Sequence, residues 1–154
     1  MGMLGSSIQL GSSVLNNLNE STPDASWSGI TTKGTAGAAL ALGDLVYLAV
    51  ADNKWEKTDA DAEATAGPVL LGIATATIAE DAEGTLLLKG FINDTTSYNF
   101  TTAGAPLYVS TTTGAMTQTA PSGQNDIIRV VGYAHDDADT IYFDPSNDYL
   151  EVLV

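Results

Sequence analysis

Residues 43–50, GDLVYLAV, decide the reading of the fold. Gly43 and Asp44 open a run of Leu, Val and Tyr that is too short for a helix and built from residues that suit a pleated surface, so a strand leaving a turn is predicted. Asp52 and Asn53 then stand before a second short run at Trp55, as a hairpin requires. The same punctuation recurs to the C-terminus. Strands are predicted near 44–50, 54–58, 69–78, 84–92, 106–110, 115–119, 127–135, 139–143 and 149–153. Residues 59–68, DADAEATAGP, are acidic, Ala-rich and closed by Gly-Pro, and are predicted to be an exposed, mobile loop.

The chain also matches itself. GDLVYLAV at 43 aligns with GAPLYVST at 104, pairing Gly43 with Gly104 and Tyr47 with Tyr108. VLLGIATA at 69 aligns with RVVGYAHD at 129, pairing Gly72 with Gly132 and Ala74 with Ala134, and TLLLKG in one copy stands where TIYFDP stands in the other. Two copies are too few for a repeat array. The expected fold is all-β: a compact sandwich or barrel over 36–154 built from two pseudo-repeated β-units, about 43–93 and 104–153, preceded by an extended N-terminal arm over 1–35.

Composition narrows the function. The 154 residues suit one domain, and 19 Asp and Glu against five Lys and Arg give a formal charge of −14, which opposes binding to nucleic acid or to anionic membranes. Without cysteine there is no disulfide framework and no thiolate metal site. No stretch is apolar enough to span a membrane and MGMLGSSIQL lacks a signal-peptide pattern, so synthesis inside a cell is expected. The arm is rich in Gly, Ser and Asn, with Ile8, Leu10, Val14, Leu15, Leu18 and Trp27 scattered through it. It is too sparse to fold alone and too apolar for a spacer, so it is expected to order on a partner.

Chemistry is hard to find. The only histidine, His135, adjoins Asp136, Asp137 and Asp139, but strand alternation separates neighbours and no second His completes a zinc set, so a solvated turn is expected, with calcium as the competing reading. Glu80, Asp81 and Glu83 read as an acidic turn. No catalytic residue, cofactor or metal site is predicted. GAPLYVSTTTGAMTQTAPSG (104–123) carries no charge at all, and the neutral 95–125 region is expected to be where like-charged subunits meet, with Tyr98, Phe100, Leu107, Tyr108 and Met116 at the interface.

The second half resembles the C-terminal part of tailed-bacteriophage virion proteins of the capsid-decoration, head-fibre and tail-fibre kinds. The shared elements are G-x-P-L-Y-x-S from Gly104, T-x-T-A-P-S-G from Thr117, RVVGYA from Arg129 and IYFDPSND from Ile141. The first copy is similar, more loosely, to small phage cement proteins that start with GDLV. The resemblance implies a non-enzymatic β-rich protein that forms a homotrimer and binds the major capsid protein on the outer surface of the assembled virion, after synthesis in the host cytoplasm. No collagen-like or coiled-coil shaft is present, which favours decoration or a head-fibre base over a tail fibre. The alternative is a carbohydrate-binding β module that stacks sugars on Tyr and Trp and holds calcium at HDDAD (135–139).

Overall fold

The computed structural model describes residues 9–10, 13–14, 23–135 and 139–153. Strands β1 (Gln9–Leu10) and β2 (Ser13–Val14) pair only with each other. β3 (Ser26–Thr35) follows, then the first unit: β4 (Leu45–Leu48), β5 (Trp55–Lys57), the one-turn helix α1 (Glu63–Ala66), β6 (Leu71–Ala74) and β7 (Glu83–Asn93). The second unit comprises β8 (Pro106–Val109), β9 (Met116–Thr117), β10 (Ile127–Ile128), β11 (Val130–Ala134) and β12 (Thr140–Phe143), and β13 (Leu150–Glu151) pairs back on β10.

The two units repeat one pairing order. Strands run β5–β4–β6–β7 in the first and β9–β8–β11–β12 in the second, all antiparallel, and the units join where β7 pairs with β12. Side chains do not follow the sequence match as faithfully. That match sets Val46 against Leu107, yet Val46 packs in a different core from Leu107, and Leu45 is the residue that shares Leu107's core. The pairing register is kept, since Val46 stands opposite Gly72 as Leu107 does opposite Gly132, but the face turned to the main core is exchanged, and a register irregularity at Val130/Gly132 lies in the second unit.

Residues 26–35, read as the end of the arm, are a strand. β3 lies antiparallel along all of β7, from Ser26 opposite Asn93 to Thr35 opposite Glu83. Gly29 faces Gly90 in this ribbon, at φ +151° and +144°, and a Cβ on either would strike the other strand's backbone. The ribbon therefore needs both glycines, and a register shift beside Ile30 adds to its bend. The sequence places this stretch in the arm because its partner strand lies far along the chain.

Two cores result. The main core gathers Leu45, Leu71, Ile73, Leu87, Ile92, Leu107, Val109, Ile127, Val131, Ile141 and Phe143 from both units. A smaller one, with Val46, Trp55, Ala74 and Leu86, lies on the other face of the first unit and is closed by Ala36, Leu40 and Ile78. The sheet curls into a half-barrel because residues 58–60 are stitched to the β8–β9 turn: Gly114 N–H donates to the Thr58 carbonyl, Ala60 N–H to the Ser110 carbonyl and Ile127 N–H to the Ala60 carbonyl. The 59–68 segment is thus no free loop. Ala60 and Ala66 are wholly buried, α1 occupies 63–66, and Thr65 Oγ1 donates to the Asp59 carbonyl at 2.6 Å.

Candidate functional site

The residues predicted to attach the chain to a partner fall into three groups. Ile8, Leu15 and Leu18 lie outside the described residues, while Leu10 and Val14 stand in the β1–β2 pair. Trp27 belongs to the β body, opposite Ile92 in β3 and packed against the main core. Its indole is partly covered by the fold's own core.

Most of the predicted subunit interface is also interior. Leu107 is fully buried, Tyr98 and Phe100 are nearly so, and the last two stack with ring centroids 5.5 Å apart. The Tyr98 hydroxyl donates to the Gly43 carbonyl at 3.1 Å, and burial pushes its pKa well above the ordinary tyrosine value. Met116 packs on the main core, and Tyr108, half-buried, faces away from Leu107 and Val109 on β8. Neutrality of 95–125 reflects the core of one chain, which demands the same residue types as an interface between chains. The charge that this hairpin lacks is supplied by the first unit. Gly114 sits over the Lys57–Asp44 ion pair (2.9 Å), and Thr113 Oγ1 donates to Asp59 Oδ2 at 2.9 Å.

The remaining basic groups are tied down as well. Lys54 pairs with Asp81 at 2.7 Å and Lys89 with Asp144 at 2.9 Å, and each carboxylate holds its lysine's pKa up through the hydrogen bond. Arg129 is buried. Lys33 is the one exposed basic side chain without an ion pair among the described residues, so the accessible surface is governed by carboxylates. Asp81, from the predicted acidic turn, takes φ +63° and closes it.

Two apolar surfaces stand out that sequence reading did not single out. Val50 (89% exposed) stands two residues beyond Leu48, whose N–H donates to the carbonyl of the exposed Leu70 (51%). Val50 lines an open cleft of about 520 Å³ with Tyr47, Ala64, Pro68 and Val69, rimmed by Glu63, whose carboxylate accepts from the Tyr149 hydroxyl at 2.6 Å. The second surface is a cross-strand row on the sheet face turned away from the main core: Ser28, Phe91, Tyr142, Tyr133 and Pro106 stand in register across five strands. Tyr133 is half exposed, and Ile30 stands beside the row. His135 joins it, its ring edge-on to Phe91 at 5.3 Å, while Asp136 and Asp137 lie outside the described residues.

Neither surface assembles a nucleophile, a base and an orienting group; both are suited to contact. Comparison with known proteins agrees with that character. No curated protein and no solved structure matches the chain. The family model of the phage cement proteins matches residues 62–142, from α1 through β12, which is more than half of the sequence and includes the junction of the two units. The chain therefore belongs to the phage cement protein family and is a structural protein associated with the phage capsid.

Proposed function

We propose that the chain is a non-enzymatic decoration (cement) protein which binds the major capsid protein on the outside of the virion, its N-terminal segment as the attachment and its β body as the displayed mass. The observation that carries this is the family match, which falls on the β body, where three of the four lysines are held in ion pairs. The arm of this proposal ends before Ser26, where β3 begins. Its apolar residues Ile8, Leu10, Val14, Leu15 and Leu18 gain burial on the capsid that offsets their ordering entropy. A homotrimer multiplies that contact, and its subunits meet through exposed apolar groups such as Val50 and Leu70 rather than through Tyr98 or Leu107. Co-sedimentation with capsids lacking their own decoration protein tests the proposal. Saturable binding at a fixed ratio to the major capsid protein is expected, and failure to bind would overturn it.

The Phe91–Tyr142–Tyr133 row supports a second reading, a carbohydrate-binding surface, because aromatic rings reaching a sheet surface, Tyr133 most exposed among them, can stack on sugars. Glycan-array binding that disappears in Tyr133→Ala and leaves capsid binding intact would favour it.

A further inference from the structure

Arg129 stands alone among the basic residues in being buried without a counter-ion. It is 5% exposed, between the strands β10 and β11. Its Nε donates to the Ser146 carbonyl at 2.8 Å, and its Nη1 donates to the carbonyls of Ala66, Gly67 and Val69. Every acceptor is neutral. Among the described residues no carboxylate pairs with the guanidinium and none takes a hydrogen bond from Nη2, whereas Lys54, Lys57 and Lys89 each have an aspartate. Largely burying a cation on carbonyl dipoles, with no counter-ion, leaves part of its desolvation uncompensated, and burial accordingly lowers the pKa of this arginine.

Arg129 also lines a cleft of about 380 Å³, together with Pro68, Val69, Leu70, Pro145 and Asn147. The cleft thus joins an uncompensated positive group to apolar walls, on a protein whose overall field repels anions. A free dianion is poorly served by one cation in such a field, while a carboxylate carried beside an apolar group matches both features. We propose that this cleft is a carboxylate-binding site, in which Arg129 Nη2 pairs with an acidic side chain or the C-terminal carboxylate of another protein chain and the proline and leucine walls take the group next to it. The site is independent of how the N-terminal segment engages a capsid.

The test uses the full chain at constant ionic strength, following the Arg129 side-chain resonances by nitrogen-edited NMR. The probes are N-acetyl-leucine, which has a terminal carboxylate, N-acetyl-aspartate amide, which has only a side-chain carboxylate, and N-acetyl-leucine amide, which has neither. Saturable shifts with one or both carboxylates and none with the neutral amide are expected, and the tighter of the two names the source. No shift with either carboxylate, or an equal shift with the amide, would overturn the proposal. Because Arg129→Gln also releases the 66–69 carbonyls and can unfold the chain, the site is tested at its rim. Asn147→Asp brings a carboxylate of the chain's own to the cleft, and is expected to weaken N-acetyl-leucine at least fivefold while raising Tm. Unchanged affinity in that variant would place the anion elsewhere and overturn the assignment.

Discussion

The Leu45 amide donates to the Gly114 carbonyl at 2.8 Å, and through this bond the first strand of one unit is fixed to the hairpin turn of the other. The Gly114 amide continues the seam by donating to Thr58 at 2.8 Å. A glycine is needed here for conformation as well as for space: φ is +77°, and a Cβ would come 3.1 Å from Lys57 Cδ and 3.2 Å from Asp44 Oδ1.

Gly114→Ala is expected to cost about 2 kcal/mol, combining left-handed backbone strain with disturbance of the seam. Gly104→Ala supplies the comparison, since Gly104 has φ +75° but nothing within 4 Å of its absent Cβ. It should cost about 1 kcal/mol, the backbone component alone. Thermal melts would place the first variant several degrees below the second. Equal Tm values would mean that the seam contributes nothing to closure of the half-barrel.

Tyr98 gives the protein an alkaline limit. Its folded-state pKa is raised well above the ordinary value of 10.0, by burial first and by Asp94 and Asp44 next. Above about pH 10 the unfolded chain gives up this proton while the native state retains it, so the native state binds more protons and stability falls as pH rises. Tyr98→Phe removes the bond to Gly43 and should cost about 1 kcal/mol at neutral pH. The same variant should show a shallower loss of stability between pH 10 and 11. Parallel alkaline limbs for the two proteins would assign the loss to other groups.

Trp27 separates the β body from the attachment segment. Its packing on the main core predicts that Trp27→Ala costs about 2–3 kcal/mol, below the range for a fully buried tryptophan because the side chain is only partly covered. Tm should fall by several degrees with capsid occupancy per folded molecule unchanged. Lost occupancy at unchanged Tm would return Trp27 to the attachment segment.

How far the sequence discloses this architecture depends on whether the deciding contact is local. The turns at Asn53 and Gly114 are local: both take positive φ, and the residues around them announce it. The matched strands of the two units were legible for the same reason, whereas their pairing order was not, because it rests on contacts between distant segments. β3 was not, because SWSGITTKGT has no apolar alternation of its own and becomes a strand only against β7. That Val46 and Leu107 turn to different cores was equally hidden, since Leu-Val-Tyr and Pro-Leu-Tyr offer either face to a core. α1 was missed because alanine carries no pattern by which burial of Ala66 could be foreseen. The burial of Tyr98, Phe100 and Leu107 within one chain was not legible either, because neutrality cannot distinguish a core from an interface. Arg129 did leave a signal: a lone basic residue between Ile128 and Val130 implies that a charge enters the interior.

The last prediction concerns residues 1–22. Both cores are assembled from residue 36 onward, with Trp27 added by β3, and the first described side-chain bond at the entrance to β3 runs from Asp24, whose Oδ1 accepts from the Thr95 amide at 3.0 Å. Removing residues 1–22 therefore leaves the Asp24 clasp, the Gly29–Gly90 ribbon and both cores in place. Circular dichroism and Tm should stay at wild-type values. In the proposed trimer, capsid binding should weaken by far more than one contact implies, because losing about 1.4 kcal/mol from each of three linked attachments would multiply a tenfold loss toward a thousandfold one. Competition with wild-type protein for undecorated capsids measures the ratio. A truncated protein that competes on equal terms would show that the β body docks directly, and the Val50–Leu70 surface would then be the contact to mutate, with Val50→Asp expected to abolish what the deletion spared.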